Sequence, residues 1–130
     1  MDDTGQVLRD KELTAEIIGS SIEVHRAVGP GLLESVYEEC LCHELSTRGL
    51  SFDRQVHLPV RYKQVQLNCG CRADLIVEDR VVVELKAVDA TLPVHEAQLL
   101  TYLRLSGKQT GLLINFNVPV LRKGIVRRVL

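Results

Sequence analysis

The stretch Arg72-Ala73-Asp74-Leu75-Ile76-Val77-Glu78-Asp79-Arg80-Val81-Val82-Val83-Glu84-Leu85-Lys86 reads as two apolar strands joined by a polar turn at Glu78-Asp79-Arg80. If the turn folds the strands antiparallel, Asp74 falls opposite Glu84 or one residue off. Side chains alternate faces along a strand, so Glu84 and Lys86 share a face, while Leu75, Val77, Val83 and Leu85 point the other way. One face of the hairpin then carries two carboxylates and an ammonium, flanked by Ile76 and Val82. Buried charge is costly unless it is paired or holds a metal. Two converging carboxylates repel, and a divalent cation removes the repulsion. An ordinary ion pair on a solvated sheet face fits the Asp…Glu-x-Lys pattern as well.

Outward from this hairpin the period changes with the element. On the N-terminal side, Phe52, Val56, Leu58, Val60 and Tyr62 occupy even positions, as on a half-buried strand, and Val65, Leu67, Cys69 and Cys71 continue after a turn at Lys63-Gln64. Before them, Ile17, Ile18, Ile22 and Val28 predict a helix over 13–28. Leu33, Val36, Tyr37, Cys40, Leu41 and Leu45 predict a second over 32–48. On the C-terminal side, Pro93 opens a third helix over 94–105 and Gly107 closes it. Residues 111–116 form a short apolar run of the kind found in buried strands, and 118–130 adds an edge strand or hairpin. Residues 1–12 read as a flexible tail, and 13–130 as one domain with a mixed sheet flanked by helices.

The composition is that of an ordinary soluble domain, with 45% apolar and 25% charged residues in 130. Its net charge of −1 gives no global attraction to polyanions, so nucleic-acid contact would need a local basic patch. No run is long enough to span a membrane, and the acidic start Met1-Asp2-Asp3 is unlike a secretory signal, so a cytoplasmic setting is expected. Cys40 and Cys42 sit two apart on a helix, pointing to nearly opposite sides. With Cys69 and Cys71 they read as small buried thiols rather than a metal site.

Two helices offer partners for the charged hairpin. His95, Gln98, Leu99 and Tyr102 recur along one face of the third helix, where Gln98 could bond a phosphate or a water and Tyr102 a backbone. In the second, Gly31-x-x-Glu34-x-x-Tyr37 puts Glu34 near the helix N-terminus. There it is either a first-turn acid favoured by the helix dipole or a third carboxylate for the hairpin. Asp74 and Glu84, with the Leu85 carbonyl, make a minimal oxygen set for magnesium, and Lys86 beside them could orient water or stabilise developing charge.

Taken together, Gly31-x-x-Glu34-x-x-Tyr37, Arg72-Ala-Asp74, Glu84-Leu-Lys86 and His95-x-x-Gln98-Leu-Leu-Thr-Tyr102 resemble the GxxExxY proteins of the PD-(D/E)XK nuclease superfamily. The Gln98-x-x-x-Tyr102 spacing is similar to the RecB-like branch. The resemblance runs from about residue 13 to 120 and implies a restriction-endonuclease-like αβββαβ core. It further implies Mg²⁺ or Mn²⁺ at Glu34, Asp74 and Glu84, Lys86 as the catalytic lysine, and Gln98 and Tyr102 as the supporting helix motif. Ala73 stands where the superfamily name has Pro. The expected activity is metal-dependent hydrolysis of phosphodiester bonds, in DNA rather than RNA. The alternative is a non-catalytic module of the same fold that binds nucleic acid or a protein. Arg61, Lys63, Arg72 and His95 are the expected nucleic-acid contacts, with Arg54, Arg122, Lys123, Arg127 and Arg128 as further basic candidates. Trp is absent, so a stacking platform would be thin, and a homodimer or a larger protein partner would supply the missing binding surface.

Overall fold

The polar turn does fold the two decisive strands back on each other. Glu78 and Asp79 both adopt left-handed backbone (φ 52° and 53°), the geometry of the tight hairpin turns that match strand twist. The computed structural model describes residues 3–130. In chain order its elements are helices α1 (Asp3–Val28) and α2 (Glu34–Thr47), then strands β1 (Phe52–His57), β2 (Val60–Tyr62), β3 (Val65–Leu67), β4 (Arg72–Val77) and β5 (Val81–Lys86). Helix α3 (Pro93–Ser106), strand β6 (Thr110–Asn115), a 3-10 turn (Leu121–Gly124) and strand β7 (Ile125–Val129) follow.

Five strands form one mixed sheet in the order β1-β4-β5-β6-β7. The β5–β6 pair is parallel and the other neighbours are antiparallel, so α3 is the crossover of a βαβ unit. The expected αβββαβ order is met by α2, β1, β4, β5, α3 and β6. Helices α1 and α2 cover one face through Ile17, Tyr37, Leu41 and Leu45 against Leu75, Val83, Leu85 and Ile114. Helix α3 covers the other through Leu99 and Leu103 against Ile76, Val82 and Leu113. Burial on both faces explains the continuous apolar stretches Val81–Val83 in β5 and Leu112–Ile114 in β6. No helix among the described residues is long and apolar enough to cross a membrane.

Three expectations are corrected. The tail assigned to residues 1–12 is helical from Asp3 onward, while residues 1–2 lie outside the described part. The cause is tertiary: Asp10 is buried, where Thr110 Oγ1 donates to it at 2.8 Å and Arg80 lies at 3.5 Å. This ties α1 to the sheet at Asp10, three residues before its described core contacts begin at Leu13. Second, the even-numbered run 52–62 is not one strand. It ends at His57 before Pro59, and β2 and β3 pair only with each other as a separate ribbon. Third, the cysteines are not uniformly buried: Cys42 is buried, Cys40 and Cys71 are half-buried, and Cys69 is exposed, all as free thiols.

Candidate functional site

Asp74 and Glu84 meet where the sheet forks. Strands β4 and β5 are paired from Leu75–Val83 to Val77–Val81, but beyond Leu75 they part, β4 continuing along β1 and β5 along β6. In register Asp74 and Glu84 are the next opposed residues, and their carboxylates fill the gap. Leu85 N–H donates to Asp74 Oδ2 at 2.8 Å, and Asp74 N–H donates to Glu84 Oε1 at 2.9 Å. Each acid thus replaces a lost ladder bond on the opposite strand. Leu85 meets the pair through its N–H.

The same point inverts the pleat. Ala73 packs with the α3 cluster, whereas Leu75, two residues on, packs with the α1–α2 cluster. Across the ladder, Phe52 and Val56 also pack on opposite faces. Between them Gln55 has a left-handed backbone, φ 49°, which a non-glycine residue holds only at a cost of about 1–3 kcal/mol. The strain aims the Gln55 amide: Nε2 donates to Asp74 Oδ1 at 3.3 Å and to Glu38 Oε1 at 2.7 Å. Glu38, on α2, is buried and also takes Arg54 Nη2 at 2.8 Å. Gln55 and Glu38 were not legible from sequence. No residue pattern marks a left-handed kink inside a strand, and Glu38 reads as one more surface acid.

Electrostatics separate the two acids from ordinary surface carboxylates. Burial, and then the charge of Asp74, push the Glu84 carboxyl up to about 8, against relief from the Asp74 N–H and from Lys86. Burial also raises Asp74, opposed by the Leu85 N–H and the Gln55 amide. Glu34, the exposed first residue of α2, is close enough for its charge to add to the rise at Glu84. The Tyr of its motif acts on the preceding loop. Tyr37 is buried, stacks on Phe116 at 4.4 Å, donates to the Gly29 carbonyl at 2.6 Å and accepts from Leu32 N–H. This ties down the Gly29–Leu32 turn, where Gly31 sits at φ 96°, and sets where α2 begins.

An open cleft of about 630 Å³ runs beside the fork, lined by Cys71, Lys86, His95, Gln98, Thr101 and Tyr102 among others. Asp74 and Glu84 are not among its lining residues, yet both charges help raise the Tyr102 hydroxyl, after its burial. Gln98 Nε2 donates to Tyr102 Oη at 2.9 Å. His95 Nδ1 accepts from Leu92 N–H at 2.9 Å, so one ring nitrogen caps α3. The expected residues therefore fall into two adjoining groups: Asp74 and Glu84 at the fork, within range of the Glu34 charge, and Lys86, His95, Gln98 and Tyr102 in the cleft. Arg72 is exposed at the start of β4, and Arg61 and Lys63 stand out on the β2–β3 ribbon. Two further basic candidates are committed elsewhere: Arg54 pairs with Glu38 and Glu39, and Arg128 with Glu96.

Among the described residues, no three His, Cys, Asp or Glu side chains gather into a metal-holding cluster. The donor set is two desolvated carboxylates with backbone nearby. That suits magnesium or manganese, which keep several waters and need one or two carboxylates, better than a cation enclosed by protein ligands.

Residues 11–129 match the family model of the PD-(D/E)XK nuclease superfamily. No curated protein and no solved structure matches the chain.

Proposed function

This chain belongs to the PD-(D/E)XK nuclease superfamily, and from that premise we propose that it is a metal-dependent nuclease hydrolysing phosphodiester bonds of DNA. The observation that carries this reading is the fork: two carboxylates driven together and desolvated, Glu84 pushed up to about 8, beside a cleft that holds a lysine. Mg²⁺ or Mn²⁺ would be held by Asp74 and Glu84, with Glu34 and the Leu85 carbonyl as further oxygens. When bound it supplies charge neutralisation on the scissile phosphate and a lowered pKa for water. Lys86 orients the attacking water and steadies developing negative charge. Gln98, held by Tyr102, offers its amide to the phosphate, and His95 and Arg72 contact the backbone on either side. Gln55 keeps the Asp74 carboxylate turned into the fork.

Within the superfamily we assign the chain to the GxxExxY group, near the RecB-like branch, on Gly31, Glu34, Tyr37, Gln98 and Tyr102. The four free thiols suit a reducing cytoplasm. A second copy or a larger partner protein would extend the binding surface.

One observation favours a second reading, a nuclease-fold module that binds nucleic acid or a protein without cutting: Asp74 and Glu84 do not line the cleft. Cleavage assays with Mg²⁺ and Mn²⁺ on double- and single-stranded DNA and RNA decide between them. The nuclease reading expects DNA cleavage that Asp74→Ala and Lys86→Ala each lower by about 100-fold or more. Equal activity in the variants, or binding by the wild type without cleavage, would reject it.

A further inference from the structure

The β2–β3 ribbon has no role in the core. Leu58 N–H donates to the Cys71 carbonyl at 2.9 Å, so the ribbon prolongs the β1–β4 ladder beyond the end of the sheet. Its base is anchored, because Leu58 is buried under α3. Its outer part is not: Tyr62 is 60% exposed and Val65 54%. The turn at Lys63-Gln64 is left-handed at both residues (φ 47° and 69°), so the tip is a tight two-residue reversal. From His57 to that tip is about 20 Å at about 3.3 Å per residue.

The ribbon's charge differs from that of the rest of the chain. Residues 55–73 contain no Asp or Glu but include Arg61, Lys63 and Arg72, a formal +3 in a chain whose total is −1. Arg61 and Gln66 oppose each other on one face, Tyr62 and Val65 on the other. Lys63 Nζ lies 5.4 Å from the Tyr62 ring centre, which draws it to the tip.

We infer that this ribbon is an arm that enters the major groove of double-stranded DNA and holds the duplex against the Asp74–Glu84 fork. The B-DNA major groove, about 12 Å wide, admits a two-stranded ribbon. The major groove of duplex RNA is too narrow for side chains to read. A single strand would need a series of stacking rings, and the arm carries one. Arg61 and Lys63 meet phosphates across the groove and Tyr62 with Val65 meets base edges. Arg72, two residues before Asp74, directs the backbone to the fork. This rests on the nuclease reading and adds its substrate class and the element that grips it.

The test compares wild type with Arg61→Ala/Lys63→Ala, checked for folding by circular dichroism. Fluorescence anisotropy without metal measures binding of short duplex DNA, duplex RNA and single-stranded DNA over a salt series. Hydrolysis of bis(para-nitrophenyl) phosphate with Mn²⁺ reads the fork without engaging the arm. The arm predicts duplex-DNA affinity about 10-fold or more lower in the variant, with a salt slope flatter by about 2. RNA and single-strand binding fall by much less than duplex-DNA binding, and the wild type hydrolyses the small ester. Unchanged duplex affinity, an equal loss on all three nucleic acids, or no duplex binding by the wild type would overturn it. Failure of the wild type to hydrolyse the small ester while the duplex-specific loss holds would count against the nuclease reading alone.

Discussion

Replacing Glu84 with Gln should stabilise the metal-free protein, and by an amount that grows with pH. Burial and the neighbouring Asp74 raise the folded-state Glu84 carboxyl from 4.5 to about 8. A raised carboxyl makes the folded protein hold a proton that the unfolded chain has lost. Its contribution is therefore whole below pH 4.5 and is lost as pH rises toward 8. Each pH step of one within that window costs about 1.4 kcal/mol, so the loss by pH 7 is about 3 kcal/mol. Glutamine cannot ionise, yet its amide oxygen still accepts the Asp74 N–H. Urea titrations of Glu84→Gln and wild type should coincide near pH 4.5 and separate by about 3 kcal/mol at pH 7, roughly 10 °C in melting temperature. Saturating Mn²⁺ should close the gap by stabilising the wild type and not the variant. A variant less stable than wild type at pH 7, or a difference that stays constant from pH 4.5 to 7, would refute the electrostatic account of the fork.

Other perturbations test the supports. Gln55→Gly relaxes the left-handed backbone but releases Asp74 and Glu38; calorimetry should show Mn²⁺ affinity about 10-fold lower with the fold intact, as for other residues that orient metal ligands. Tyr37→Phe removes the bonds to Gly29 and Leu32 while keeping the Phe116 stack, and urea unfolding should show a loss of about 1–2 kcal/mol. Gly111→Ala would drive a methyl to 2.8 Å from Leu99 Cδ1 and 3.2 Å from Leu103 Cδ2, so about 1–3 kcal/mol of stability should go, with α3 displaced in a crystal structure.

The sequence by itself determined most of the elements and most of the candidate residues. The polar turn at Glu78-Asp79-Arg80, the apolar strands around it, Pro93 and Gly107 bounding α3 and the Tyr37, Leu41 and Leu45 part of the α2 stripe are local signals, and local signals survive in any fold that buries them, whereas Leu33 and Val36 of the same stripe stay exposed. Asp74, Glu84 and Lys86 could be singled out because charges inside an apolar hairpin need a reason.

What the tertiary structure decided depends on contacts distant in sequence. Asp10 meets Thr110, a hundred residues away, and Glu38 meets Arg54 and Gln55 from another element. Alternation predicted one charged face, but β4 turns over at Asp74 and the two acids sit between strands, each on the other's backbone. A period of two assumes a regular pleat. The pleat breaks where β4 parts from β5 while staying paired with β1, and that parting is set by how the whole sheet pairs.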